Sequence, residues 1–105
     1  TRRPLPAITL SEVLATSDVP AGAVNILTGE AAEIMPWLAS HADVNALDLA
    51  GVDDAALAAE LERAAADTIT RVRRPEPEAD WTADPGLGRL RSFIETKSVW
   101  HPKGI

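Results

Sequence analysis

A strand signal, a turn and a helix signal follow one another between residues 43 and 73. Residues 43–51, DVNALDLAG, contain the mainly apolar run ALDL at residues 46–49, which predicts a short strand. The next stretch predicts a helix from about Asp53 to Arg73, because its apolar residues recur at steps of three and four. These residues are Leu57, Leu61, Ala65, Ile69 and Val72. A strand that leads directly into a helix is typical of an α/β fold, in which crossover helices join parallel strands.

The amino-terminal side of the chain predicts two more helices and one more strand. Residues 5–17 have the apolar spacing of a short amphipathic helix that stops before Pro20. Residues 24–27, VNIL, lie between glycine and proline residues and predict a second strand, which is expected to be buried. Residues 30–41 predict a further helix, in which Pro36 is expected to force a break because proline lacks an amide hydrogen. This alternation predicts a partial parallel sheet.

The carboxyl-terminal third is predicted to be mostly irregular. Residues 75–88, PEPEADWTADPGLG, are rich in proline, glycine and acidic side chains and predict a linker. One helical turn is predicted around residues 90–94, and residues 97–100 predict an extended terminal strand with no local partner. We therefore divide the chain into an α/β segment at 1–74, a linker at 75–88 and a carboxyl-terminal segment at 89–105.

Composition excludes several classes of function. The 105 residues carry a net charge of -6, which disfavours binding to nucleic acid or to an anionic membrane. The chain has no cysteine, so disulfides, thiolate metal ligands and a cysteine nucleophile are excluded. No apolar run approaches the roughly 20 residues of a membrane helix and no signal peptide is visible, so a cytoplasmic location is expected. Because the chain begins with Thr1, it is expected to be a processed or truncated piece of a longer protein.

Four stretches carry the residues of a known family. Residues 4–14, PLPAITLSEVL, follow the pattern Pro-Leu-x-Ala-x-x-Leu-x-Glu-x-Leu. Residues 20–29, PAGAVNILTG, match Pro-x-Gly-Val-Val-Asn-Val-x-x-Gly at Pro20, Gly22, Val24, Asn25 and Gly29. Together with residues 64–72, AAADTITRV, they resemble the cofactor domain of aldehyde dehydrogenases. Residues 95–102, ETKSVWHP, are similar to the carboxyl terminus of that family. The resemblance implies a Rossmann-like partial parallel sheet of the aldehyde dehydrogenase cofactor-domain type, with an extended carboxyl-terminal strand segment.

The resemblance also shows which parts of the family are replaced. The catalytic domain that separates the two matching regions in the family is missing, and only the predicted linker connects them. Residues 73–76, RRPE, stand where the family has Glu-Leu-Gly-Gly. The family attacks its aldehyde with a cysteine thiolate, which this chain lacks, so covalent aldehyde oxidation by this chain alone is excluded. The cofactor lysine motif of the family would lie upstream of Thr1. We therefore assign no catalytic residue.

The resemblance places a degenerate cofactor site at Gly29, Gly51 and Val52. The family has Phe-Thr-Gly-Ser at a strand end and helix start, where amides and a hydroxyl hold the cofactor pyrophosphate. Here Ala50 and Val52 replace the hydroxyl residues, and two aspartates follow at residues 53–54. Like charges about 4 Å apart repel by roughly 4 kcal/mol at an effective dielectric constant of 20, whereas the helix dipole contributes about 0.3 to 1 kcal/mol. No cofactor is expected on this chain alone. If a cofactor binds, we expect it to be NAD or NADP.

The same turn also has a purely structural interpretation, in which Asp53 caps the following helix. The two histidines, His41 and His101, lack acidic neighbours at ligand spacing, so no metal site is predicted. Trp37 is expected in the core and Trp81 against the linker. Lys97, Val99 and Trp100 are predicted to contact a neighbouring subunit, since the resemblance implies that this strand adds to a sheet across a subunit boundary.

Two functions of different classes follow from the sequence. The first is an aldehyde-dehydrogenase-like remnant that is not catalytic by itself and acts as an oligomerisation or assembly module. Its expected partner is a second copy of the chain or a dehydrogenase-like chain, with no nucleic acid and no membrane. The alternative is a subunit or fragment of an NAD(P)-dependent aldehyde dehydrogenase whose catalytic cysteine and cofactor lysine lie outside this chain.

Overall fold

The computed structural model describes residues 4–76 and 80–104. The middle of the predicted linker, residues 77–79, lies outside the described residues. Two helices come first in the described chain, and helices and strands alternate after them. The order is α1 (Leu5–Ala15), α2 (Ala31–Ala39), β1 (Ala46–Asp48), α3 (Ala55–Ala66), β2 (Arg71–Arg73) and α4 (Gly86–Arg91).

The two strands form a parallel pair joined by α3. Their register aligns Leu47 with Val72 and Asp48 with Arg73. The backbone amide of Leu49 extends the ladder by donating to the carbonyl of Arg73 at 3.0 Å. Parallel pairing through a crossover helix is therefore as predicted, but the strands that pair are not the predicted ones: residues 46–48 pair with residues 71–73, a segment predicted as helix, and not with residues 24–27. The described part of the chain is a small α/β fold with a two-stranded sheet.

The core lies between α2, α3 and one face of the sheet. Leu49 and Leu61 are its largest fully buried side chains. The spacing of three and four residues along α3 explains why Leu61 and Ala65 point the same way into this core. The other buried apolar residues are Ala39, Leu47, Val52 and Ala58. These few small and medium side chains make a limited core.

The predicted helix from Asp53 to Arg73 is too long at its carboxyl end. Helix α3 ends at Ala66, and Ile69 takes a left-handed conformation with a φ of 56°. The amide of Thr70 then donates to the carbonyl of Ala65 at 3.0 Å, which is the long bond of a Schellman motif. The hydroxyl of Thr70 also donates to the carbonyl of Val44 at 2.8 Å. These bonds turn the chain into β2, so Ile69 is 92% exposed instead of lying on an apolar stripe.

Two predicted strands are not formed in the described chain. Residues 24–27 belong to no sheet, and Val24 and Leu27 are exposed. Residues 97–100 also have no strand, and Trp100 is exposed. Both predictions relied on β propensity, which reflects how well a side chain fits a half-buried pleated surface. That surface is not provided by the rest of the described chain.

Two predictions about α2 are also wrong. Pro36 lies inside the helix without ending it, so the expected break does not occur. Trp37 was expected in the core, but its side chain is 78% exposed. The neighbouring Ala39 is fully buried and Leu38 packs against the core, so these smaller side chains occupy the inner face of the helix.

Helix α1 stands apart from this core. Extensive packing between elements joins α2 to α3, β1 to β2 and α3 to β2, and α1 takes part in none of these contacts. No residue of α1 is buried. The Cα radius of gyration is 17.2 Å, whereas a compact domain of this length has about 13 Å. Helix α3 and the sheet are therefore held in place by the core, whereas α1 projects from it.

Candidate functional site

The turn between β1 and α3 is closed by its own backbone and by one side chain. The amide of Ala50 donates to Asp48 Oδ1 at 3.0 Å, and the amide of Val52 donates to the carbonyl of Leu49 at 2.9 Å. Val52 is only 6% exposed and packs in the core. Gly51 is exposed at the tip of the turn. Gly51 and Val52 are the two turn residues that were predicted to bind the cofactor. The side chain of Val52 packs in the core and is therefore not free to contact a cofactor.

The amino terminus of α3 is capped by an aspartate of the same turn. Asp54 Oδ1 accepts from the amide of Ala56 at 2.8 Å and from the amide of Leu57 at 3.3 Å. The predicted capping residue was Asp53, so the cap lies one position later, and Asp53 is exposed beside it. The amides that a pyrophosphate would use already bind a carboxylate, and a second carboxylate lies next to them. A phosphate at this turn would have to displace the cap and face like charge.

Gly29 has a packing role at the start of α2. A Cβ atom at this position would lie 2.7 Å from Cδ1 of Ile34, so a larger residue would push that side chain away. Gly29 lines a cleft of about 310 Å³ together with Leu27, Ile34 and Leu38. Gly51 is not among the residues that line this cleft. The three predicted cofactor residues thus have separate local surroundings: a packed contact, a turn tip and a core position.

One face of the sheet is polar, and the carboxyl-terminal segment lies against it. Ala46, Asp48, Arg71 and Arg73 point to the side opposite Leu47, and we call them the polar sheet face. Because side chains alternate along a strand, the RVR sequence of β2 places both arginines on this face and Val72 against the core.

Three arginines hold the carboxyl-terminal segment on the polar sheet face. Arg89 of α4 forms an ion pair with Asp48, and both side chains are partly buried. Arg73 Nη1 donates to Ser92 Oγ at 3.4 Å. Arg71 Nη1 donates to the carbonyl of Ile94 at 3.2 Å and pairs with Glu95 at 3.6 Å. These contacts were not predicted from the sequence, although the two-residue period of charge in β2 is a signal for them.

A cleft of about 460 Å³ lies beside this contact. It is lined by Arg73, Glu76, Asp80, Trp81, Ala83, Asp84, Pro85 and Arg89. The Arg89 guanidinium lies 5.1 Å from the centroid of the Trp81 ring, and Arg73 pairs with Glu76. Hydrogen bonds from the hydroxyl and amide of Thr82 lower the pKa of the Asp80 carboxyl. Two arginines and three carboxylates line the cleft, and both arginines already have carboxylate partners.

The histidines take no part in a constellation of metal ligands. The amide of Asp43 donates to His41 Nδ1 at 3.2 Å, which closes a local turn, and His101 is exposed. Residues 4–76 and 80–104 contain no group of three or more histidine, aspartate or glutamate side chains that could hold a metal ion. In the same ranges no helix is long and apolar enough to cross a membrane.

The predicted oligomerisation residues lie on an exposed tail, which we define as residues 96–104. Val99 is 71% exposed and Trp100 is 84% exposed, and Lys97 is exposed beside them. The tail follows directly after the pair between Arg71 and Glu95, so its base is held on the polar sheet face. The tail is therefore an exposed segment with apolar and basic side chains, and it is attached to the polar sheet face at Glu95.

Comparison with known proteins identifies the larger part of the chain. A model of the aldehyde dehydrogenase family matches residues 1–73, which include α1, α2, α3 and both strands. The match ends at Arg73, so α4 and the tail lie outside it. Comparisons with curated proteins and with solved structures find no significant match. On the strength of the match over residues 1–73, the chain belongs to the aldehyde dehydrogenase family.

Proposed function

We propose that this chain is an aldehyde-dehydrogenase-like remnant that is not catalytic by itself and serves as an oligomerisation or assembly module. The observation that carries the proposal is the exposed apolar surface at both ends of the described chain. Leu5, Leu10 and Val13 are more than half exposed at one end, as are Val99 and Trp100 at the other. Large exposed apolar surfaces on a soluble domain are characteristic of protein interaction sites.

The chemistry of the chain supports the absence of catalysis. Aldehyde oxidation through a thiohemiacetal needs a thiolate nucleophile, and no cysteine occurs in the sequence. The cap formed by Asp54 also occupies the amides at the amino terminus of α3, where a pyrophosphate would bind. The sequence therefore provides no thiolate nucleophile, and these two amides of α3 are already bound to a carboxylate.

The tail is suited to recognition by main-chain pairing. An extended segment with alternating exposed side chains can add to a sheet edge, where backbone hydrogen bonds give affinity and the side chains give specificity. Val99 and Trp100 supply an apolar pair, and Lys97 supplies a charge. The partner is a second copy of this chain or another dehydrogenase-like chain.

The alternative is a subunit or fragment of an NAD(P)-dependent aldehyde dehydrogenase. The family match over residues 1–73 supports it, because the sequence resemblance assigns these residues to the cofactor domain of the family. In that case another polypeptide supplies the cysteine and the cofactor lysine. Adding such a chain would restore aldehyde turnover, whereas the assembly module would associate without turnover.

Sedimentation velocity of three variants tests the role of the tail. A chain that stops after Glu95 retains the contact with Arg71 but lacks the tail, and we expect it to sediment more slowly than the full chain by more than the lost mass explains. Trp100→Ala is expected to weaken association about tenfold, which corresponds to about 1.4 kcal/mol. Trp37→Ala is the matched control, because it removes another exposed tryptophan outside the tail. Equal sedimentation of the full and shortened chains would contradict the proposal.

A further inference from the structure

The amino-terminal arm, defined as residues 5–28, is an apolar surface with no interior to pack into. Helix α1 has large apolar residues on every side and one charged residue, Glu12. A helix that is apolar all round is normally buried within a protein. Leu5, Leu10 and Val13 are nevertheless more than half exposed, and the main contacts among the described elements do not include α1. The arm therefore requires a partner surface for burial.

The arm also contains a cleft. Helix α1 and the loop after it enclose about 400 Å³, lined by Ser11, Leu14, Ala15, Val19, Pro20, Ala21, Gly22, Val24 and Ile26. This volume lies within the range of clefts that bind small ligands, about 300 to 1,000 Å³, and such clefts are mostly apolar. Its lining contains no charged side chain. The cleft is therefore suited to binding an apolar group.

Charge is distributed unequally along the chain. Residues 4–62 carry ten acidic side chains and no lysine or arginine. Residues 86–104 carry four basic side chains and one acidic side chain. Within the tail, Lys97 and Lys103 flank Val99 and Trp100. The tail is thus basic with an apolar centre, whereas the arm is apolar and its charged side chains are the carboxylates of Glu12 and Asp18. Complementary charge of this kind steers association and selects partners.

From this complementarity we infer that the tail of one copy occupies the amino-terminal arm of a second copy. The inference rests on the proposed assembly function and names the acceptor surface. Trp100 packs against the exposed apolar residues of α1 and the cleft beside them, and the two lysines approach the carboxylates of Glu12 and Asp18 in the partner's arm. When two copies exchange tails in this way, the same contact forms twice about a two-fold axis and the assembly closes as a dimer.

A complementation experiment tests the exchange of tails. Leu10→Lys places a positive charge on the exposed arm, and Ile69→Lys places the same charge on an exposed apolar residue outside the arm. We expect Leu10→Lys to weaken self-association at least tenfold and Ile69→Lys to leave it within twofold. The chain that stops after Glu95 has an intact arm without a tail, whereas Leu10→Lys has an intact tail. A mixture of these two chains is therefore expected to form a dimer in sedimentation velocity that neither forms alone.

The outcomes separate this inference from the assembly function. If the full chain associates and loss of the tail abolishes association, but Leu10→Lys behaves like the full chain, the assembly function stands and the arm is not the acceptor. Failure of the mixture to associate also overturns the inference. A monomeric full chain with a quenched or blue-shifted Trp100 signal would show that the tail folds onto its own arm, which contradicts both. Circular dichroism of Leu10→Lys, with Val13→Lys as a second arm variant, confirms that the helices remain folded.

Discussion

Individual aspartates decide what the turn after β1 can bind. Asp48 accepts the amide of Ala50, and Asp54 accepts two amides of α3, so the turn satisfies its own donors. Asp53 adds an exposed carboxylate between them. The sequence indicated the negative charge correctly but assigned the cap to Asp53, because both aspartates are good capping residues and only the backbone conformation distinguishes them.

We therefore predict that the chain binds NAD or NADP with a dissociation constant weaker than about 1 µM, which corresponds to about -8.2 kcal/mol. Asp53→Asn together with Asp54→Ser removes both charges while serine preserves a capping oxygen. Calorimetric titration is expected to show tighter binding by this variant than by the unchanged chain. Glu60→Gln, an acidic position on the exposed side of α3, is the control for net charge. Submicromolar binding by the unchanged chain would contradict this account of the turn.

The elements are held together in two layers of different chemistry. Apolar side chains pack α2 and α3 on one face of the sheet, whereas ion pairs and hydrogen bonds hold α4 on the polar sheet face. Arg89 is central to the second layer because it pairs with Asp48 and also lies over the Trp81 ring.

Arg89→Gln is expected to loosen α4 from the sheet. Exposed ion pairs contribute up to about 1 kcal/mol and a cation–π contact contributes about 0.5 to 1 kcal/mol, so we expect a loss of about 1 to 2 kcal/mol in the free energy of unfolding. Urea denaturation followed by Trp81 fluorescence in a Trp37→Phe, Trp100→Phe background measures this loss. Arg91→Gln removes a neighbouring exposed arginine of the same helix and serves as the control. Equal effects of the two substitutions would show that the contacts of Arg89 do not hold α4.

Elements whose apolar side chains recur with a clear period could be predicted from the sequence. Elements whose ends depend on contacts between residues far apart in the chain could not. β1 and the start of α3 follow directly from the ALDL run and the spacing of Leu57 and Leu61. The end of α3 depends on the bond from Thr70 to Val44, which joins residues far apart in the sequence. Ile69 matched the helical spacing, yet the Schellman turn placed it in solvent. The candidate site was predicted as a turn with aspartates, but the arginine contacts to α4 were not.

At the scale of the whole molecule, a small core carries two exposed apolar ends. The core consists of α2, α3 and a two-stranded sheet, and a chain of this size buries a limited fraction of its surface. The radius of gyration of 17.2 Å reflects the projecting arm and tail. Family membership explains the α/β segment, and the exposed ends explain why association is the function that we propose.

Sedimentation equilibrium of the unmodified chain tests this central claim most directly. A single chain has a mass of 11.1 kDa. We predict a weight-average mass that rises with concentration to about twice this value, because association buries the arm and the tail. High salt should lower the mass at a given concentration, since the basic tail and the acidic part of the chain attract each other through charges that salt screens. A mass that stays at 11.1 kDa at every concentration up to the solubility limit would contradict the account.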